Sequence, residues 1–184
     1  MKNSDDQSAK TTDQTIASGI SFPEGYTLQR LSEQEEAELA ALIRKALKEH
    51  DLDKPGTVYY DPQLDHLSAF YDDPATSGEY FVLKDEVGNL AGGCGYATYT
   101  PIENCAELQK LYLFDVYKGQ KLGWMLLKMA EAKAREAGYS KACIETHSNL
   151  QKAIALYRKN GFEPIDRPAS VSHDFMDCFL LKAL

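Results

Sequence analysis

Long apolar runs are missing from this sequence. Nowhere do the roughly twenty consecutive apolar residues of a membrane-spanning helix stand together. The segment Met1 to Ser18 is polar and lacks the apolar core of a secretory signal. Cysteine is scarce: Cys94, Cys105, Cys143 and Cys178 form no C-x-x-C pair, and no histidine lies at zinc-finger spacing from them. They read as small buried hydrophobes in a reducing compartment rather than as a disulfide or metal framework. His50, His66, His147 and His173 are equally scattered. No metal is expected, and the cytoplasm is the expected location. Positive charge is also short, with 20 Lys and Arg against 28 Asp and Glu and a net charge of −8. That disfavours nucleic acid as a partner. Neither the Walker pattern G-x-x-x-x-G-K-[ST] nor a G-x-G-x-x-G loop after a strand occurs, so nucleoside triphosphate and dinucleotide chemistry have no motif to stand on.

What is present is enough apolar material, 43% of 184 residues, for one substantial core. We expect a disordered tail over residues 1–20 and one domain over residues 21–184. Residues 1–92 carry 8 basic and 18 acidic side chains, residues 93–184 carry 12 and 10, and the stretch from Lys118 to Lys159 holds 9 and 3. A basic second half suits a small polyanion and an acidic first half a cationic one. Solvated helix faces explain the same counts.

Tyr26–Leu31 reads as a strand. Ser32 and Glu35 form a capping box, and Leu39, Leu42, Ile43 and Ala46 follow at helical spacing to about His50. Asp61-Pro62 predicts a second helix start, with Leu64, Leu67, Ser68 and Tyr71 turned inward. Tyr80–Lys84 and Leu90–Tyr99 make a hairpin across Asp85–Asn89. Gly92, Gly93 and Gly95 inside its second arm signal a bulge or a close backbone approach. Ala106–Phe114 alternates Leu108, Lys110 and Tyr112 with Glu107, Gln109, Leu111 and Leu113. The period then becomes helical through Leu122, Leu126, Met129, Ala130 and Ala134 to Gly138. A strand over Lys141–Thr146 and a helix over Leu150–Lys159, with Asn149 as its cap, precede closing strands Phe162–Ile165 and Phe175–Lys182. The fold class is α/β: a mixed sheet with helices on its faces and antiparallel edges.

The chemically informative segment is Leu111 to Leu127, where a strand runs into a loop with Gly119 and Gly123 and then at once into a long amphipathic helix. Unpaired N–H groups and the positive dipole end of that helix suit a phosphate, and Lys118 and Lys121 add charge. A strand–helix turn that merely uses glycine is the plainer alternative. Lys118-Gly119-Gln120-Lys121-Leu122-Gly123 resembles the pyrophosphate loop [RQ]-x-x-G-x-[GA] of the GNAT superfamily of N-acetyltransferases. Lys118 replaces the first Arg or Gln, and Lys121 replaces the first motif glycine, which demands an ordinary helical φ there. Three further stretches are similar to the family: Ala106–Leu113 before the loop, Asn149 with Ala153, Leu156-Tyr157 and Gly161-Phe162 after it, and Gly92-Gly93-Cys94-Gly95.

The resemblance implies a GNAT-like, mostly antiparallel sheet with helices on both faces and a splayed central strand pair. It implies acetyl-CoA as co-substrate, its pantetheine arm along Tyr112, Leu113 and Phe114. The pyrophosphate would lie on Lys118, Gly119, Gln120, Lys121, Leu122 and Gly123, with Asn149 and Ala153 also at the cofactor. An amine of a small molecule or peptide would attack the thioester directly. Tyr157 matches the family's general acid, with a packed core tyrosine as the alternative. Glu107 matches the acidic position of the base, with a solvent-facing strand carboxylate as the alternative and His147 and Glu145 as reserve bases. A backbone N–H near Leu113 would meet the oxyanion. Glu35, Glu36, Asp61, Asp65, Asp72 and Asp73 favour a cationic acceptor, and His173 is a candidate for its pocket. The assembly is expected to be a monomer or a homodimer. A non-catalytic CoA-binding regulatory module with the same fold is the other reading.

Overall fold

The structure is a computed structural model that describes residues 21–171 and 173–184. The tail expected at residues 1–20 lies outside the described residues. Local chemistry sets most of the elements. Strand β1 (Thr27–Arg30) is followed two residues on by Ser32, whose N–H and hydroxyl both donate to Glu35 Oε2, at 3.1 and 2.6 Å. That capping box starts α1 (Glu33–Lys48). A single 3-10 turn, Val58–Tyr60, precedes the short α2 (Leu67–Asp72).

Helix α2 begins five residues later than Asp61-Pro62 suggested. The Asp61 carboxylate does not cap a helix; it meets His173 Nε2 at 2.9 Å and Lys110 Nζ at 3.7 Å. Residues 61–66 instead make successive turns, with Leu64 N–H donating to Asp61 O and His66 N–H to Gln63 O. The inward set is nevertheless as expected, since Leu64, Leu67, Ser68 and Tyr71 are all buried.

Strands β2 (Glu79–Lys84), β3 (Leu90–Thr98) and β4 (Cys105–Leu113) follow, then a 3-10 turn at Asp115–Tyr117 and α3 (Leu122–Glu136). Strand β5 (Lys141–Thr146), α4 (Gln151–Lys159), β6 (Glu163–Ile165) and β7 (Cys178–Ala183) complete the chain. The last strand starts three residues later than its pattern implied, because Phe175 stacks on His147 at 5.3 Å instead of pairing. Among the described residues seven strands form one sheet in the order β1-β2-β3-β4-β5-β7-β6. Every neighbouring pair is antiparallel except β4 with β5. Buried side chains of α3 and α4 pack on one face, and those of α1 and α2 on the other.

The expected bulge lies where β3 meets β4. Gly93 pairs with Tyr112 and Gly95 with Gln109, so β4 holds one residue more than β3. A Cβ at Gly92, where φ is +154°, would collide with the Tyr112 carbonyl oxygen. The extra residue breaks the regular alternation of β4. Lys110 takes φ +52° and its ammonium lies over the Phe70 ring, on the α1/α2 side with Gln109 and Tyr112. Leu108, Leu111 and Leu113 pack toward α3.

Candidate active site

Strands β4 and β5 pair only from Cys105–Glu107 against Lys141–Cys143, and beyond that they part. A narrow cleft of about 70 Å³ opens in the gap. Glu107 comes to it from β4, Glu145 from β5, Tyr157 from α4 and His173 from the β6–β7 connection. Glu107 and Gln109 also line a wider cavity of about 540 Å³, whose wall includes Phe70, Thr98, Tyr99 and Ser170. Leu111, Tyr112 and Tyr157 also line a groove of about 450 Å³ that runs along the start of α3. The cleft therefore joins two recesses, with Glu107 bordering the cleft and the wider cavity and Tyr157 bordering the cleft and the groove.

Glu107 is 7% exposed, not a solvent-facing carboxylate. Its Oε2 accepts from Gln109 Nε2 at 2.6 Å, and Gln109 Oε1 accepts from the Tyr71 hydroxyl at 2.8 Å. Burial, then the charge of Glu145, pushes the Glu107 pKa up; Gln109, Lys110 and His173 oppose the rise. His173 carries the opposite charge. Burial disfavours its imidazolium, but Asp61 and then Glu145 outweigh that and hold its pKa at about 9. Tyr157 is 8% exposed and meets Phe162 edge-on at 6.3 Å, so the ring is packed while it borders the cleft. Burial raises its phenol pKa, which keeps the hydroxyl a proton donor.

The groove is lined by Tyr112, Leu113, Lys118, Gly119, Lys121, Leu122, Gly123 and Ala153. A Cβ at Gly123 would touch only Leu113 Cδ1 at 3.5 Å and Leu156 Cδ2 at 3.9 Å, so this glycine leaves the groove floor low. Lys121 is the N-cap of α3 and sits at φ 64°, ψ 3°. The ordinary helical φ expected there is not what the chain adopts. Lys121 keeps the left-handed geometry that a glycine would take, because the loop must turn sharply from the 3-10 segment into α3. Lys118 shares its charge with Asp115 at 2.6 Å, whereas Lys121 and Lys152 have no ion pair among the described residues. The Phe114 N–H donates to Ala91 O at 3.0 Å, so strand alternation turns the Leu113 N–H to the opposite edge, toward the gap.

These features match a known family. The model of the acetyltransferase (GNAT) family matches residues 40–162. The uncharacterized N-acetyltransferase YjgM of Escherichia coli (strain K12) is 39% identical over 147 residues, 78% of this chain and 86% of that one. The chain belongs to the GNAT acetyltransferase family. Among solved structures, a GNAT-family acetyltransferase from Staphylococcus aureus Mu50 superposes with TM-score 0.73 at 19% identity, over 86% of this chain and 98% of that one. The PaiA N-acetyltransferase of Thermoplasma acidophilum, solved with coenzyme A, superposes with TM-score 0.65 at 20% identity, over 86% and 99%. As a GNAT enzyme the protein is an N-acetyltransferase that depends on acetyl-CoA. The groove fits that co-substrate: free helix N–H groups, two unpaired lysines and a low glycine floor face one recess.

Three residues expected at the cofactor have partners of their own outside the groove lining. Phe114 packs with the α1 side of the core and spends its N–H on β3. Gln120 accepts from the Tyr26 hydroxyl at 3.0 Å and donates to Val116 O at 3.3 Å. Asn149 does not cap α4, whose N-cap is Leu150; its amide donates to His50 O at 2.8 Å. His147 stands outside the cleft, stacked on Phe175, with Nδ1 accepting from Asn149 N–H at 3.1 Å and Nε2 3.8 Å from Asp177. In the other direction, Lys152 and Trp124 line the groove of this GNAT fold without a sequence motif to mark them, and Leu156, known from the motif alone, lines it too. Lys152 and Leu156 stand one turn apart on α4, beside Ala153 and Tyr157, and that spacing was the available signal.

The left-handed Lys121 has a measurable consequence. Lys121→Gly should raise the unfolding free energy by about 0.4–1 kcal/mol, the relief of a non-glycine residue at positive φ less the entropy glycine adds to the unfolded chain. Chemical denaturation checks it, and an equal or lower stability would show that the loop is not held in that geometry.

Proposed function

We propose that this GNAT enzyme transfers the acetyl group of acetyl-CoA to a primary amine of a small molecule or peptide, by direct attack within a ternary complex. The observation that carries this reading is the position of Glu107 and Tyr157. A buried carboxylate of raised pKa and a buried phenol border one cleft, between a cofactor-sized groove and a separate cavity. A regulatory module that only held CoA would have no use for a second recess facing the thioester.

The chain's own groups supply each requirement of the reaction. Glu107, acting through water, takes a proton from the entering amine. The Leu113 N–H faces the gap and is placed to meet the oxyanion. Tyr157 donates its proton to the departing sulfur. The α3 N-terminus, Lys121 and Lys152 hold the pyrophosphate side. The cysteines are all free thiols, three of them buried, and we place the enzyme in the cytoplasm. No helix among the described residues is long and apolar enough to cross a membrane.

The acceptor's charge is set by fewer groups than the acidic first half suggested. Glu35 pairs with Lys84, Asp65 with Arg44 and Asp72 with Arg30. Glu36 accepts from Ser68 N–H and Asp73 from Ala75 N–H. Asp61 holds His173. None of the six lines the cavity, so a cationic acceptor would be recognised by Glu107 and its immediate neighbours.

Amine-dependent release of CoA thiol across a panel of primary amines tests the activity. The groove has its own test in Gly123→Asp. The new Cβ meets only ordinary contacts, and an acidic residue in the first turn suits the helix dipole, so the variant should fold. Its carboxylate would face the pyrophosphate. Acetyl-CoA at about 100 times its dissociation constant should stabilise the wild type by about 2.7 kcal/mol and the variant not at all. Equal calorimetric binding by the two proteins would remove the loop from the cofactor site.

A further inference from the structure

Glu145 stands on β5 two residues beyond Cys143, the last residue of that strand paired with β4, and its side chain is 2% exposed. One of its oxygens, Oε1, accepts from the Tyr99 hydroxyl at 2.7 Å. The other, Oε2, is buried and has no hydrogen-bond partner among the described residues. His173 Nδ1 is 3.9 Å from it, too far for a hydrogen bond. A buried carboxylate oxygen without a donor is costly to keep, and this one borders the cleft that holds Glu107.

The charges around it do not balance. Three carboxylates, Asp61, Glu107 and Glu145, meet two cations, Lys110 and His173. Both cations lean on Asp61, at 3.7 and 2.9 Å. Glu107 and Glu145 line the same cleft, and the five groups together carry one negative charge in excess. That is the charge of one ammonium group.

We propose that Glu107 and Glu145 form the seat of the acceptor's ammonium group, with Glu145 Oε2 accepting one of its N–H bonds. The inference rests on the acetyl-transfer reading of the same cleft. It narrows the acceptor to a primary amine that arrives singly protonated. Among the described residues Glu107 is the only acidic or basic one that lines the wide cavity, so a polyamine finds no other carboxylate among them for its second charge. An α-amino acid would bring a third carboxylate to the seat. Phe70, Tyr99 and the hydroxyls of Thr100 and Ser170 suit an aromatic or hydroxylated body. In the reaction Glu107, acting through water, takes one proton from the ammonium, which leaves a neutral amine and a neutral carboxyl group, and the second proton that nitrogen loses on amide formation replaces the one Tyr157 gives to sulfur. Glu145 keeps its hydrogen bond to a second N–H and orients the lone pair.

The test compares 2-phenylethylamine, an ammonium near neutral pH, with O-benzylhydroxylamine, which has the same shape and is uncharged there. Glu145→Gln should lower kcat/KM for 2-phenylethylamine by about 10- to 100-fold, mainly through KM, as expected for a hydrogen bond between charged groups. The loss on O-benzylhydroxylamine should be at least about tenfold smaller. Melting temperature and acetyl-CoA affinity should match the wild type. Equal losses on both probes, or no loss on either, would overturn the seat. Should the variant not fold, the wild type decides. The N,N-dimethyl derivative of 2-phenylethylamine is cationic and cannot yield a stable amide. It should compete with the acceptor at least about tenfold more strongly than the uncharged N,N-dimethyl-O-benzylhydroxylamine, and equal competition would sink the proposal. If the wild type binds acetyl-CoA but acetylates no amine of the panel, the acetyl-transfer reading fails and the seat with it, whereas turnover of other amines without competition by the cationic dimethyl derivative overturns the seat alone.

Discussion

Glu107→Gln is expected to lower kcat/KM by about 10²- to 10⁴-fold near neutral pH, the usual contribution of a positioned general base. The loss should shrink as the pH rises and free amine becomes plentiful. The fold should survive the change. The new amide oxygen can still accept from Gln109, so the chain from Tyr71 through Gln109 stays satisfied. A buried charge whose ionisation burial resists is removed, so stability should hold or rise. The wild-type pH profile follows from the same shift. The base works as the carboxylate, and its pKa is raised, so activity should fall as pH drops through a value above the ordinary 4.5 of a glutamate. That acid limb should vanish in the variant. Wild-type turnover by Glu107→Gln from about pH 6 to 9 would make Glu107 a structural carboxylate and leave the cleft without its base.

Elements set by neighbours in sequence could be read directly, because their causes are local. The capping box at Ser32 and Glu35, the Gly92-Gly93-Cys94-Gly95 strand, and the helical face from Leu122 to Ala134 each announce themselves within a few residues. The groove was legible for the same reason, since most of it comes from one strand–loop–helix stretch. The chemistry of the cleft was not. Asp61, Glu145 and His173 lie far apart in the chain and meet only because β5 and β7 pair and the β6–β7 connection returns over the sheet. Asp61 before Pro62 has the pattern of a helix cap, and nothing local reveals that it is held by a histidine 112 residues away. Lys110 escaped for a related reason. A single residue inserted in β4 moves it to the other face, and glycines on the partner strand mark that a bulge exists but not which side chain it turns.

Tyr157→Phe separates the two roles its position allows. The substitution removes one hydroxyl and keeps the ring, so the contact with Phe162 should persist. If the hydroxyl protonates the departing thiolate, its help comes mainly in the transition state. Such an interaction lowers kcat more than it raises KM. General acids contribute about 10²- to 10⁴-fold, and since a CoA thiolate leaves fairly readily the low end of that range is expected. Acetyl-CoA affinity and melting temperature should barely move. Burial holds the phenol pKa above its ordinary value of 10.0, so the donor stays protonated across the working range, and the variant should lose rate by a nearly constant factor from mildly acidic to mildly alkaline pH. Glu107→Gln should instead lose rate in a pH-dependent way, so the two profiles identify acid and base independently. A purely structural tyrosine predicts the reverse: kcat near that of the wild type, with about 1 kcal/mol of stability lost if a buried hydrogen bond goes. Measuring kcat and unfolding free energy on one preparation decides between them, and full turnover with reduced stability would take Tyr157 out of the mechanism.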